Sequence, residues 1–149
     1  MAYNEESIQA ANEELEKRIN SDRKEWRDKI TVLVKKIKNV SELSECQVQM
    51  LSYRQIILDK LAEFKTIIYK RNASLDRYYR SKYREYTINY DVKLTSGEKN
   101  SFIKAELSSL RTQINILQGH IDYYLECVKT LDNMAFAIRN RIRLNDDEI

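Results

Sequence analysis

From Ile103 to Ile142 the chain keeps an apolar residue at alternating spacings of four and three: Ile103, Leu107, Leu110, Ile114, Leu117, Ile121, Tyr124, Val128, Leu131, Ala135, Ile138 and Ile142. This is a heptad seam held for more than five heptads, and a repeat this strict specifies a long helix packed lengthwise on another helix. The seam closes either within a folded-back hairpin or between chains. No proline interrupts the 149 residues, and the only glycines are Gly97 and Gly119. The expected fold is therefore all-α, with long helices forming an antiparallel coiled-coil-like hairpin.

Two further helices are predicted ahead of the seam. Over about 4–38, Leu15, Ile19, Trp26, Ile30, Leu33 and Ile37 recur at three, four or seven and form one narrow apolar stripe. The run NVSELS, 39–44, breaks the pattern, with Ser41 expected to cap the next helix. Over about 42–84, Met50, Ile57, Leu61, Phe64, Ile68 and Leu75 form a second stripe. Residues 86–94, YTINYDVKL, alternate and are rich in β-formers, which predicts a short irregular or β connector around 86–95. Thr95 and Glu98 then form a capping box at the entrance to a helix over 97–143. The domain organisation read from this pattern is an N-terminal helix over 1–40 and a helical core over 41–149. Polar helices of this length bury little surface per residue, so self-association is expected to complete the core.

Charge is distributed unevenly. Residues 5–16 carry five glutamates and no cation, residues 17–38 carry nine cations against three acids, and the net charge is only +3. Between Tyr69 and Tyr86 the chain reads YKRNASLDRYYRSKYREY, where six cations are interleaved with five tyrosines and opposed only by Asp76 and Glu85. Cations neutralise phosphates and release counterions, and aromatic rings stack on unpaired bases whatever their identity. The segment therefore reads as a single-stranded DNA grip built from Lys70, Arg71, Arg77, Tyr78, Tyr79, Arg80, Lys82, Tyr83 and Arg84. On a continuing helix Tyr79, Tyr83, Tyr86 and Tyr90 share one face and Arg77, Arg80 and Arg84 another, so the competing account is packed tyrosines beside a solvated arginine face.

The pattern speaks against an enzyme. His120 is the single histidine and stands as a surface or boundary residue beside the seam, with no partner for a metal site or a base–nucleophile pair. No Walker A sequence or Gly-rich loop occurs, and no catalytic residue, metal site or cofactor is expected. Cys46 and Cys127 lie far apart without a CxxC pattern and read as reduced thiols. No apolar run is long enough to span a bilayer and no targeting segment precedes the first helix, so a cytoplasmic protein without membrane contact is expected.

The order of these features resembles the UvsY-type recombination mediators of tailed phages. The resemblance covers roughly residues 48–143. It rests on a basic pair followed by Leu75-Asp76-Arg77-Tyr78-Tyr79, on the capped entry at Thr95 to Glu98, and on the ending Phe136-Ala137-Ile138-Arg139 with Ile142. Arg77 splits the Leu-Asp from the Tyr-Tyr, a departure from the family pattern, and the N-terminal forty residues have no counterpart there. The resemblance implies a non-enzymatic protein, acting in the host cytoplasm, that binds single-stranded DNA as a ring-shaped homo-oligomer, a hexamer or heptamer. Such a protein helps to load a UvsX-like recombinase onto DNA coated by a single-strand-binding protein, in recombination, replication and repair. It implies DNA contact at Lys70 and Arg71, and oligomerisation through Leu117, Ile121, Tyr124, Val128, Leu131, Ile138 and Ile142. The alternative is a non-enzymatic coiled-coil structural or assembly adaptor whose basic segment pairs with an acidic protein.

Overall fold

The computed structural model describes residues 3–89 and 93–147, and these are helical almost throughout, with no strand among them. The elements are α1 (Glu5–Ile37), a 3-10 turn at Val40–Glu42, α2 (Leu43–Ile88), α3 (Ser96–Glu106) and α4 (Ser108–Asp147). The all-α expectation holds. The connector read over 86–95 is shorter than expected, because α2 continues to Ile88; Tyr90, Asp91 and Val92 lie outside the described residues.

Helix ends follow their local chemistry, with two departures from the sequence reading. Asn4 accepts from the Ser7 amide at 3.1 Å to open α1, whose first turn carries Glu5 and Glu6 and whose last turn carries Lys35 and Lys36, each sign matched to the helix dipole. The cap at the joint is Asn39 rather than Ser41: the Ser41 amide and hydroxyl both donate to Asn39 Oδ1, at 3.2 and 2.9 Å. Thr95 caps α3 as expected, accepting from the Glu98 amide at 3.2 Å.

The second departure is that the helix over 97–143 is two helices, broken at Leu107 (φ −99°, ψ 14°). Neither glycine nor proline causes the break. Glu5 from α1 caps the new start instead, accepting from the Ser109 amide at 3.1 Å and from the hydroxyls of Ser108 and Ser109. Burial opposes ionisation of Glu5, but these bonds and one from Tyr3 outweigh it and hold its carboxyl below the usual range.

The chain forms two compact units. The first comprises residues 1–17 and 64–119, the second residues 18–63 and 120–149. In the first, the apolar side chains buried among the described residues are Ile103, Leu107, Leu110 and Leu117, accompanied by Asn12, whose amide donates to the Ser109 carbonyl at 2.8 Å, and by Gln113. The second has the larger core: Ile19, Trp26 and Leu33 of α1, Leu43, Cys46, Met50, Ile57 and Leu61 of α2, and Ile121, Tyr124, Cys127, Leu131, Met134 and Ile138 of α4. Trp26 meets Tyr53 edge-on with ring centroids 5.6 Å apart, and Lys36 pairs with Glu45 at 3.7 Å.

On α4 the buried face is wider than the seam. Gln113, His120, Cys127 and Met134, one residue ahead of alternate seam positions, add a third row at heptad spacing. Leu110 is buried together with Gln113, Leu117 with His120 and Ile121, Tyr124 with Cys127 and Leu131 with Met134, while Ile114, Val128 and Ala135 of the seam are half-buried, so the buried face is turned toward this row. This row holds two polar residues, a thiol and a thioether, and so carried little hydrophobic signal.

His120 is thereby fully buried, which corrects its reading as a surface or boundary residue. Arg23 Nε donates to its Nδ1 at 3.3 Å, and since Arg cannot accept, Nε2 carries the proton and donates to Asp22 Oδ2 at 3.0 Å. Tyr124 also donates to Asp22. Burial pushes the His120 pKa down, with Arg23 and Lys60 adding to the effect and Asp22 opposing it. A histidine whose folded pKa lies below its unfolded value binds fewer protons when folded, so stability falls as the pH drops through and below 6.5. Because His120 is the only histidine, the urea midpoint should decline between pH 7.5 and 5.5 in the native protein and stay level in His120→Gln. An equal slope in both proteins would contradict this.

Candidate nucleic-acid interface

The basic tyrosine segment lies wholly on α2, because nothing from Tyr69 to Ile88 breaks a helix and Lys, Arg and Ala favour one. At 100° per residue, Lys70, Arg77, Arg80 and Arg84 fall within roughly 80° of the helix circumference, and from Lys70 to Arg84 they span about 21 Å. All four are exposed. Arg77, Arg80 and Arg84 border a shallow depression of about 500 Å³ whose remaining lining is Ala73, Asp76 and Ser81. The small side chains Ala73 and Ser81 keep its floor low between the guanidinium groups. Arg77 is steadied by the Ser74 hydroxyl at 3.3 Å and lies 5.7 Å from the Tyr78 ring centre. Arg71 is exposed as well but points about 100° away from Lys70.

Lys82 departs from the expected grip. It is turned toward α3, between Glu85 at 3.6 Å and Glu106 at 3.5 Å, so its charge is already met. Tyr78, Tyr79, Tyr83 and Tyr86 are half-buried, and the first unit holds each of them. Tyr78 packs on Tyr3, with ring centroids 5.2 Å apart. Tyr79 donates to Asn100, Tyr83 lies 3.4 Å from the Ser96 hydroxyl, and Tyr86 donates to Glu106 while stacking on Phe102 at 5.9 Å. Lys99 adds a 3.0 Å bond to Thr87 and places its ammonium 5.0 Å from the Tyr83 ring centre.

The face therefore has two layers: an outer row of cations and an inner row of tyrosines, of which Tyr79, Tyr83 and Tyr86 meet α3 through their hydroxyls. Tyr79 and Tyr83 are nearly parallel, with centroids 6.5 Å apart and planes at 22°. They share a second depression, of about 430 Å³, with Arg80, Arg84, Thr87 and Ile88. Ile88 is 69% exposed and Tyr69 76% exposed. Tyr3, Ser96, Lys99, Asn100, Glu106 and Ile88 did not figure in the sequence reading of this site. The capping box located the start of α3, but nothing local in the sequence indicated that its polar side chains would meet the tyrosine row.

The residues assigned to oligomerisation lie elsewhere on α4. Leu117, Ile121, Tyr124, Leu131 and Ile138 are buried within the single chain, while Val128 and Ile142 are half-buried. Among the described residues no group of His, Cys, Asp or Glu is arranged to hold a metal ion, and no helix is long and apolar enough to cross a membrane. No family model, curated protein or solved structure matches the chain.

Proposed function

We propose that this protein binds single-stranded DNA without catalysis and acts as a recombination mediator, helping a UvsX-like recombinase to displace a single-strand-binding protein. The observation that carries the proposal is the exposed row of Lys70, Arg77, Arg80 and Arg84, whose three arginines border a depression with a single carboxylate, Asp76, in its lining. Such a row suits a phosphate backbone, because each neutralised phosphate releases counterions and needs no particular base. The resemblance to UvsY-type mediators supports the biological role, and Lys70 and Arg71, the pair it singles out, are both exposed. In this reading the coiled-coil-like hairpin of long helices is scaffold, and assembly into a ring multiplies weak contacts through effective concentration. Of the residues assigned to assembly, Val128 and Ile142 keep surface available to a neighbouring copy.

The anchoring of the tyrosines to α3 favours one competing reading, an adaptor in which tyrosines are packing and the arginines meet an acidic protein. Fluorescence anisotropy of a labelled single-stranded oligonucleotide, titrated at several salt concentrations with duplex as competitor, separates the two. The mediator reading expects affinity to fall with a log–log salt slope of roughly −2 to −3 for three or four phosphate contacts, and expects duplex to compete poorly. Binding that is negligible at low salt, or equal for duplex and single strand, favours the adaptor.

A further inference from the structure

We propose that the depression formed by Tyr79, Tyr83, Thr87 and Ile88 is a base-stacking subsite that takes one unpaired nucleobase, with Arg80 and Arg84 holding the adjoining phosphates. This inference rests on the nucleic-acid reading and specifies which aromatic residues serve it. Of the tyrosines in the basic segment, Tyr78 is engaged by Tyr3 and Tyr86 by Phe102. Tyr79 and Tyr83 have their hydroxyls tied to α3 while the same two side chains border an open depression.

The ties determine how the rings can be used. A hydroxyl held at Asn100 or Ser96 fixes a ring at its far edge, so a base meets a surface that is already ordered, and less side-chain entropy is lost on stacking. Ile88 extends the same ledge and is mostly exposed. Arg80 and Arg84 border both this depression and the neighbouring one lined by Ala73, Asp76, Arg77 and Ser81. Two arginines shared between an apolar ledge and a cationic groove match the division of a nucleotide into base and phosphate. A duplex keeps its bases stacked on each other and has none to offer, so the subsite also supplies the preference for single strands.

The test compares a short oligothymidylate with an abasic oligonucleotide of the same length, titrated against the full-length protein, Tyr83→Ala and Ile88→Ser, with the fold of each variant checked by circular dichroism. The native protein should bind oligothymidylate about 5- to 100-fold more tightly than the abasic strand. Both variants should narrow that gap while leaving abasic affinity and the salt slope unchanged. A 5-bromouracil-substituted strand should photocrosslink to the peptide carrying Tyr79 and Tyr83. Equal affinity for the two strands in the native protein overturns the subsite and leaves the phosphate reading standing. A gap that survives in both variants places stacking elsewhere and also overturns it. Failure to bind either strand rejects the nucleic-acid reading itself.

Discussion

Replacing Leu117 and Ile121 together with glutamate is expected to unfold the protein rather than merely dissociate an assembly. These side chains are 2% and 3% exposed within one chain, so the double change removes two buried apolar groups, at about 2–5 kcal/mol each, and forces two carboxylates to be buried unpaired or protonated. Together these costs rival the total stability of an ordinary domain, about 5–15 kcal/mol. Circular dichroism should show most of the helical signal lost at 25 °C, or a thermal transition lowered by tens of degrees. A variant that remains fully helical but sediments as a monomer would instead locate the seam between chains.

The largest effect on binding is expected from Arg77→Gln, Arg80→Gln and Arg84→Gln combined. Glutamine keeps helix propensity and a polar, unbranched stem while removing charge, and none of the three arginines is buried, so the fold should be unaffected. If each meets one phosphate, single-strand affinity should fall by about two orders of magnitude near 0.1 M salt, and the slope should flatten by roughly 2. Lys82→Gln is the internal control, since its ammonium lies between Glu85 and Glu106 and should add little to the slope. A triple variant that binds as well as the native protein would remove this face from consideration.

The helices were legible in the sequence because their signals are local and periodic. Trp26, Leu33, Ile57 and Ile138 stood on apolar stripes and are all buried, and the separation of Tyr79 and Tyr83 from Arg77, Arg80 and Arg84 followed from helical spacing alone. What could not be read came from residues distant in sequence. The break at Leu107 depends on a carboxylate from the first turn of α1, more than a hundred positions away. His120 was misplaced because a buried imidazole needs Asp22 and Arg23 as partners, and periodicity does not report partners. Lys82 counted as one more cation until Glu106 arrived from α3.

Among the described residues, the unit that carries the cationic face buries four apolar side chains and the other buries fourteen. Around Tyr69–Ile88, α3 is kept in place mainly by hydroxyl, amide and carboxylate contacts, with Ile103 its one buried residue among those described. Such contacts exchange readily with water, so this part of the molecule is expected to open at a lower free-energy cost than the core around Trp26, Ile57 and Leu131. A ligand that engages the ordered tyrosine row stabilises that order by mass action. Binding of any such ligand and local ordering are then a single equilibrium, in which occupied and empty proteins would differ in rigidity without differing in fold.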